Sequence, residues 1–262
     1  MARHVIIDCD ADAPNLHMIL DPAVDEKIEF FSGFCAEIDK EKCVSCGMCK
    51  DVCKFDAIQV DDDVYSVDHF ACEGCGLCEH VCQSGAIKMF EPKRGDWFIS
   101  NIENGKMIHA KLAIGAENSG RLVHIIKNKA RVIAKNENKE LIIVDGPPGI
   151  GCPVIASVSG ADLVLIVTEP TVSGISDMKR VFDLVQTFKI PSVIVINKFD
   201  VNLEMTKSIE EFASENKIEI IGRIAYDEGI TRAMVAGKSI LKASKETEQE
   251  TKKVFSKVME IL

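Results

Sequence analysis

Apolar residues fall along this chain in two rhythms. Near-continuous runs of Val, Ile and Leu occupy His4–Asp8, Leu141–Asp145, Asp162–Thr168, Ser192–Asn197 and Glu219–Ile224. Short runs of this kind, without alternation, predict strands covered on both faces. Between them, helical spacing of apolar residues predicts helices over Ser119–Lys135, Gly174–Phe188, Leu203–Glu215, Glu228–Ala236 and Glu246–Ile261. Strands alternating with helices predict an α/β fold with a doubly wound parallel sheet. Trp97–Asn101 and Lys106–Leu112 meet across Asn104-Gly105, which predicts a hairpin.

The rhythm breaks between Ile38 and Pro92. Ile38–Val60 recurs there as Val67–Met89 at a 29-residue offset, and each copy reads Cys-x2-Cys-x2-Cys-x3-Cys. Eight of the 11 cysteines lie in these two copies, while Cys9, Cys35 and Cys152 stand apart. An odd number of cysteines and a start without the layout of a signal peptide point away from disulfides and toward metal ligation in a cytoplasmic protein. Zinc sites pair two Cys-x2-Cys units across a longer spacer and use four ligands in all, which two copies of a three-plus-one pattern do not match. Three closely spaced thiolates can hold three corners of a cubane, whereas the fourth is poorly placed to close the same one. In the two-cluster ferredoxin pattern that fourth cysteine serves the other cluster. The pattern therefore assigns Cys43, Cys46, Cys49 and Cys82 to one 4Fe–4S cluster, and Cys72, Cys75, Cys78 and Cys53 to a second. The segment resembles bacterial-type two-cluster ferredoxins, although Lys54 and Gln83 replace the proline that usually follows the fourth cysteine. The expected organisation is an inserted ferredoxin domain at 38–92 within a host domain at 1–37 and 93–262.

Charge narrows the partners. The net charge of −10 argues against nucleic acid, which calls for a basic face. Eleven acids against five lysines fall between Ile38 and Pro92. Such an insertion fits a redox partner with a basic docking surface, a solvated acidic face being the plainer reading. No apolar run approaches a membrane span.

Ligands of doubly wound sheets bind at the carboxyl ends of the strands. Three such ends carry Asp8-Cys9-Asp10-Ala11-Asp12, Asp145-Gly146-Pro147-Pro148-Gly149 and Asn197-Lys198-Phe199-Asp200. An Asp followed by Gly-Pro-Pro-Gly suits a magnesium and phosphate sensor, and Asn-Lys-x-Asp suits a purine base. With Gly115-Ala-Glu-Asn-Ser-Gly120 and Thr168-Glu-Pro-Thr171, these motifs resemble the MinD/ParA superfamily of P-loop ATPases, in the subgroup with an inserted ferredoxin domain. The resemblance implies switch I at Asp8 and Asp10, with Asp10 helping to position the attacking water. It also implies switch II from Asp145 to Gly149, base contacts at Asn197, Lys198 and Asp200, bound ATP and magnesium, and a homodimer.

The phosphate loop of that family, Lys-Gly-Gly-x-Gly-Lys-Thr, is absent, so the expected fold lacks its first strand and helix. The one lookalike, Gly115 to Leu122, has Arg121 and Leu122 in place of the phosphate-binding Lys and the magnesium-binding Ser or Thr. Either the chain is a shortened form of a longer protein or it is a degenerate relative. Two functions are expected to compete: nucleotide-gated electron transfer, and a cluster-assembly or delivery scaffold with a vestigial nucleotide site. The C-terminal apolar face of Val254, Phe255, Val258, Met259 and Leu262 is expected to pack on the domain and not to meet a membrane. Cys152 is read as a buried small hydrophobe or a redox sensor beside switch II.

Overall fold

The computed structural model describes residues 4–116, 120–236 and 244–262. In chain order the elements are β1 (His4–Asp8), α1 (Leu16–Leu20), β2 (Ala23–Phe31), β3 (Cys35–Ile38), α2 (Met48–Val52), β4 (Ile58–Asp61), β5 (Val64–Val67), α3 (Leu77–Val81), β6 (Ile87–Phe90), β7 (Lys93–Ile102) and β8 (Gly105–Leu112). There follow α4 (Gly120–Asn136), β9 (Leu141–Asp145), α5 (Cys152–Val158), β10 (Val164–Thr168), α6 (Val172–Thr187), β11 (Ser192–Asn197), α7 (Leu203–Glu215), β12 (Glu219–Ile224), α8 (Glu228–Val235) and α9 (Lys245–Ile261). Two compact units emerge. The larger holds residues 1–26, 98–110 and 118–262, and the smaller holds 27–97 and 111–117.

In the larger unit the strands run as the apolar rhythm predicts, with one break. β1 is parallel to β8 on one side and to β9 on the other, with Asp8 opposite Asp145. β2 and β7 extend this sheet to the order β2-β7-β8-β1-β9, while β10, β11 and β12 form a second parallel sheet in that order. Among the described residues, no strand pairs with the outer edge of β9 or of β10. The break has a chemical signature. Val193, Ile194, Val195 and Ile196 on β11 are at most 5% exposed, whereas Ile143 on β9 is 38% exposed, and Leu165 and Val167 on β10 are 38% and 60% exposed. Runs built for two covered faces are thus bare on one side of the break, where water can reach the unpaired backbone groups and lower their cost.

Helices close the rest. Ile166, Ile194 and Ile196 pack on Met178 and Phe182 of α6 and on Ile209 of α7. Thr171 caps α6 by accepting from the Gly174 amide, and Asn202 caps α7 by accepting from the Met205 amide. The C-terminal α9 packs on β12 through Val254, which shares a cluster with Val193, Val195 and Ile221. Gly222 permits the approach, since a Cβ there would lie 2.2 Å from Val254 Cγ2. Phe255, Met259 and Leu262 remain 46–54% exposed, so the packing face is Val254 and Val258 and not the whole predicted stripe. The buried Lys127 of α4 donates to the carbonyls of Ala156, Ser157 and Ser159 at 2.6–2.9 Å, capping the end of α5.

Several boundaries move. The Asp162 start of β10 shifts to Val164, α6 begins at Val172, and the hairpin lengthens to Lys93–Ile102 and Gly105–Leu112. The strand β2 carries no apolar rhythm, because seven of its nine residues are exposed. Residues 117–119, within the Gly115–Leu122 lookalike and at the Ser119 start expected for α4, lie outside the described residues.

Candidate metal centre

The smaller unit is built twice over. β3 pairs antiparallel with β6, and β4 pairs antiparallel with β5. Each cysteine run winds through residues of positive φ, Ser45 and Gly47 in one copy and Gly74 and Gly76 in the other, before entering α2 or α3. The left-handed turns reverse the chain tightly enough to bring the first three thiols of a run round one space. The third thiol of each run, Cys49 or Cys78, rides in the helix, and the fourth, Cys53 or Cys82, is its extended C-cap. A residue that leaves the helix in extended backbone turns away from the turn that holds the other three.

The structure shows where it goes. Cys43, Cys46 and Cys49 line a cavity whose fourth thiol is Cys82, and Cys72, Cys75 and Cys78 line one whose fourth thiol is Cys53. All eight thiols are free of disulfides. Among the described residues, no three His, Cys, Asp or Glu side chains close on a single ion, so the thiols surround a volume and not a point. Four thiols round such a volume fit a cubane, whose corners need separated ligands. The cluster beneath the cavities is small: Ala36, Ile38, Cys49, Ile58 and Ile87 are buried, and cysteines supply most of what packs on them.

The surroundings of the sulfurs differ. Burial pushes the Cys49 and Cys78 thiols up from their ordinary values. The Ser84 hydroxyl, 3.5 Å from Cys82 Sγ, draws the Cys82 thiol down. Cys35, 1% exposed, is pushed up to about 11 by burial and by its hydrogen bond with Cys72. Tyr65, Ser84 and Cys35 lie outside the cysteine pattern. Lining the two copies up at their 29-residue offset is the signal that finds the first two, because they fall opposite Ala36 and Phe55.

The larger unit gathers the other candidate residues in two groups. The Asp10 amide donates to Asp8 Oδ1 at 3.1 Å, the Cys9 amide donates to the Asp145 carbonyl at 2.9 Å, and Asp8 Oδ2 is buried without a partner. Desolvation, then the neighbouring Asp8 and Asp10 carboxylates, push Asp145 up to about 6. Burial raises Asp8 as well. In the second group Asn197 Nδ2 donates to Glu169 Oε1 at 3.3 Å, Lys198 Nζ pairs with the same oxygen at 2.7 Å, and Asp200 accepts from the Tyr226 amide at 2.7 Å. Glu169, the second residue of Thr168-Glu-Pro-Thr171, is the partner that motif reading left without a role. Gly149 adopts φ +88° and a Cβ there would meet nothing. Cys152 is exposed at the start of α5, which corrects its reading as a buried hydrophobe, while Cys9 is fully buried and pushed up to about 12 by that burial.

Comparison with known proteins gives these two units their relatives. Residues 36–89 match the model of a 4Fe-4S dicluster domain. The uncharacterized protein MJ0578 of Methanocaldococcus jannaschii is 37% identical over 198 residues, covering 76% of this chain and 68% of that one. The septum site-determining protein MinD of Bacillus subtilis is 28% identical over 120 residues, 44% of each chain. Among solved structures, MinD of Pyrococcus horikoshii, complexed with Mg-ADP, superposes with a TM-score of 0.56 at 15% identity, over 98% of this chain and 83% of that one. The chain belongs to one family with MJ0578, carries a 4Fe–4S dicluster domain and shares the fold of MinD. Asp8, Asp10 and Asp145 stand at two adjacent strand ends. Among the described residues no helix is long and apolar enough to cross a membrane.

Proposed function

We propose that this MinD-like chain holds two 4Fe–4S clusters, one in each cavity, and passes single electrons to a partner protein under control of nucleotide. The observation that carries the reading is the pair of four-thiol cavities, each closed by the fourth cysteine of the other repeat. When bound, each cluster supplies one reversible electron at nearly constant geometry. The chain's residues do the rest. The thiols of Cys43, Cys46, Cys49 and Cys82 hold one cluster, and those of Cys72, Cys75, Cys78 and Cys53 hold the other. Full ligation by four thiols favours retention over hand-on, because a cluster to be delivered needs a labile ligand.

Control by nucleotide belongs to the larger unit. Asp8, Asp10 and Asp145 form a carboxylate group that suits magnesium, the buried Asp8 Oδ2 being the oxygen left without a partner. Asn197, Lys198 and Asp200 suit the base, and Glu169 holds the first two in place. With no phosphate loop in the sequence, this chain by itself binds ATP weakly. The acidic smaller unit favours a partner with a basic docking surface.

Anaerobic reconstitution tests the reading. About eight iron and eight sulfide per chain are expected, four of each per cubane. Transfer to an apo-acceptor protein, with and without ATP, separates electron transfer from delivery. Retained clusters with reversible one-electron reduction support the proposal, and quantitative loss of iron to the acceptor overturns it in favour of a delivery scaffold.

A further inference from the structure

The two cavities are related by the 29-residue repeat, so their walls can be compared position by position. Packing supports the alignment. Ser45 Oγ donates to the Asp63 carbonyl at 2.7 Å, and at the repeat-related place Gly74 sits so close to Phe34 that a Cβ would lie 2.2 Å from its carbonyl oxygen. Most wall positions keep their character: Gly47 matches Gly76, Met48 matches Leu77, and Ile87 matches Ile58. Three do not. The Cys43 cavity has Tyr65, Ser84 and Val44 where the Cys72 cavity has Ala36, Phe55 and Glu73.

All three differences act in one direction. A hydroxyl donating to a ligand sulfur stabilises the extra negative charge of the reduced cluster and raises its potential, whereas a nearby carboxylate lowers it. Ser84 Oγ is 3.5 Å from Cys82 Sγ, and the Tyr65 hydroxyl meets the turn between Cys46 and Cys49, 3.4 Å from where a Gly47 Cβ would sit. Two features oppose them: the Asp63 and Asp51 carboxylates act on the Tyr65 hydroxyl beside the Cys43 cavity, and a thiol acts at the other. The buried Cys35 thiol is hydrogen-bonded to Cys72, where the first copy has the repeat-related Val64. Asp51 and Asp63, like Glu73, are exposed and screened by water, and an S–H is a weak donor, so the two hydroxyls beside the Cys43 cavity decide the order.

We infer that Tyr65, Ser84 and Glu73 make the two cavities electrically unequal, so that the cluster on Cys43, Cys46, Cys49 and Cys82 is reduced at the higher potential. The inference rests on the two-cluster reading above. An electron from an external low-potential one-electron donor then settles beside Tyr65 and Ser84. With both clusters bound, the Cys72 set would hold the cluster that gives up one electron and the Cys43 set the cluster that accepts it, with no bond or proton exchanged.

The whole chain, reconstituted anaerobically, is titrated with dithionite and followed by electron paramagnetic resonance. Two resolved one-electron steps are expected. Ser84→Ala and Tyr65→Phe lower the upper step and leave the lower one in place, while Glu73→Gln raises the lower step only. Coincident steps, or a lower step that follows Ser84→Ala, overturn the inference. Iron and sulfide analysis keeps the two readings apart. About eight of each with the wrong order sinks this inference alone, and markedly fewer sinks the two-cluster reading and this inference with it. If Tyr65→Phe loses iron, the exposed Ser84 carries the test.

Discussion

The two compact units reach a fold by opposite means. The larger one buries Val193, Ile194, Val195 and Ile196 completely enough that one strand serves as core on both faces. The smaller one centres on a cluster of Ala36, Ile38, Cys49, Ile58 and Ile87 ringed by further cysteines, with Phe30, Cys35, Ala57, Ala86 and Trp97 also buried. Cysteines supply most of what packs on that cluster, so the groups that hold the unit together are also the groups that hold metal. The difference teaches that its stability comes from what the thiols bind, in the manner of small metal domains whose binding energy is folding energy.

Stripping iron from the whole chain is the most severe way to break that comparison. Amides of β3, β6, α2 and α3 are expected to lose exchange protection altogether, while those of β11 keep theirs. Hydrogen exchange read by mass spectrometry distinguishes this from a smaller unit that stands without metal. The reverse experiment is Ile194→Ala, which deletes a fully buried side chain. It should destabilise the larger unit by about 2–5 kcal/mol without changing iron content, as thermal denaturation and iron analysis would show. Next comes Cys82→Ala, which should abolish the cluster of the first run and spare that of the second. Loss of the second instead, seen by electron paramagnetic resonance, would overturn the crossed assignment. Gly222→Ala is milder. Its Cβ meets Val254, and overpacking there should cost about 1–3 kcal/mol and loosen α9 from β12.

The smallest effect is a dependence on pH. Asp145 stands at about 6 in the folded chain against an ordinary 3.8. The native state therefore holds this proton more tightly than the unfolded chain does, and stability falls as pH rises between those two values. Asp145→Asn should flatten that fall in a series of denaturant titrations, and an unchanged slope would mean the carboxyl is already ionised there.

Much of this was legible in the residues. β1, β9, β11 and β12 begin and end where the apolar runs do, because strands covered on both faces leave an unbroken signature. β2 was not legible, since its side chains are mostly exposed and nothing selects their pattern. The eight thiols were legible because ligand spacing is a covalent fact of the chain. Tyr65 and Ser84 show in the sequence only as places where the two copies differ, opposite Ala36 and Phe55, while their arrival at the cavity depends on strand pairing and the α3 exit, which leave no spacing rule. The bare faces of Ile143, Leu165 and Val167 belong to the same class: the runs promise two covers, and only the fold reveals that one is missing at the break.

The exchange of fourth cysteines also has a consequence for how the protein comes into being. During synthesis the first run is complete to its third thiol well before Cys82 exists, yet its cavity cannot close without Cys82. The second cavity holds Cys53 early but waits for Cys78. Cys78 lies in α3 and Cys82 is its C-cap, so no nascent chain can carry one completed site while the other has yet to begin. The ribosome therefore delivers the pair almost at once.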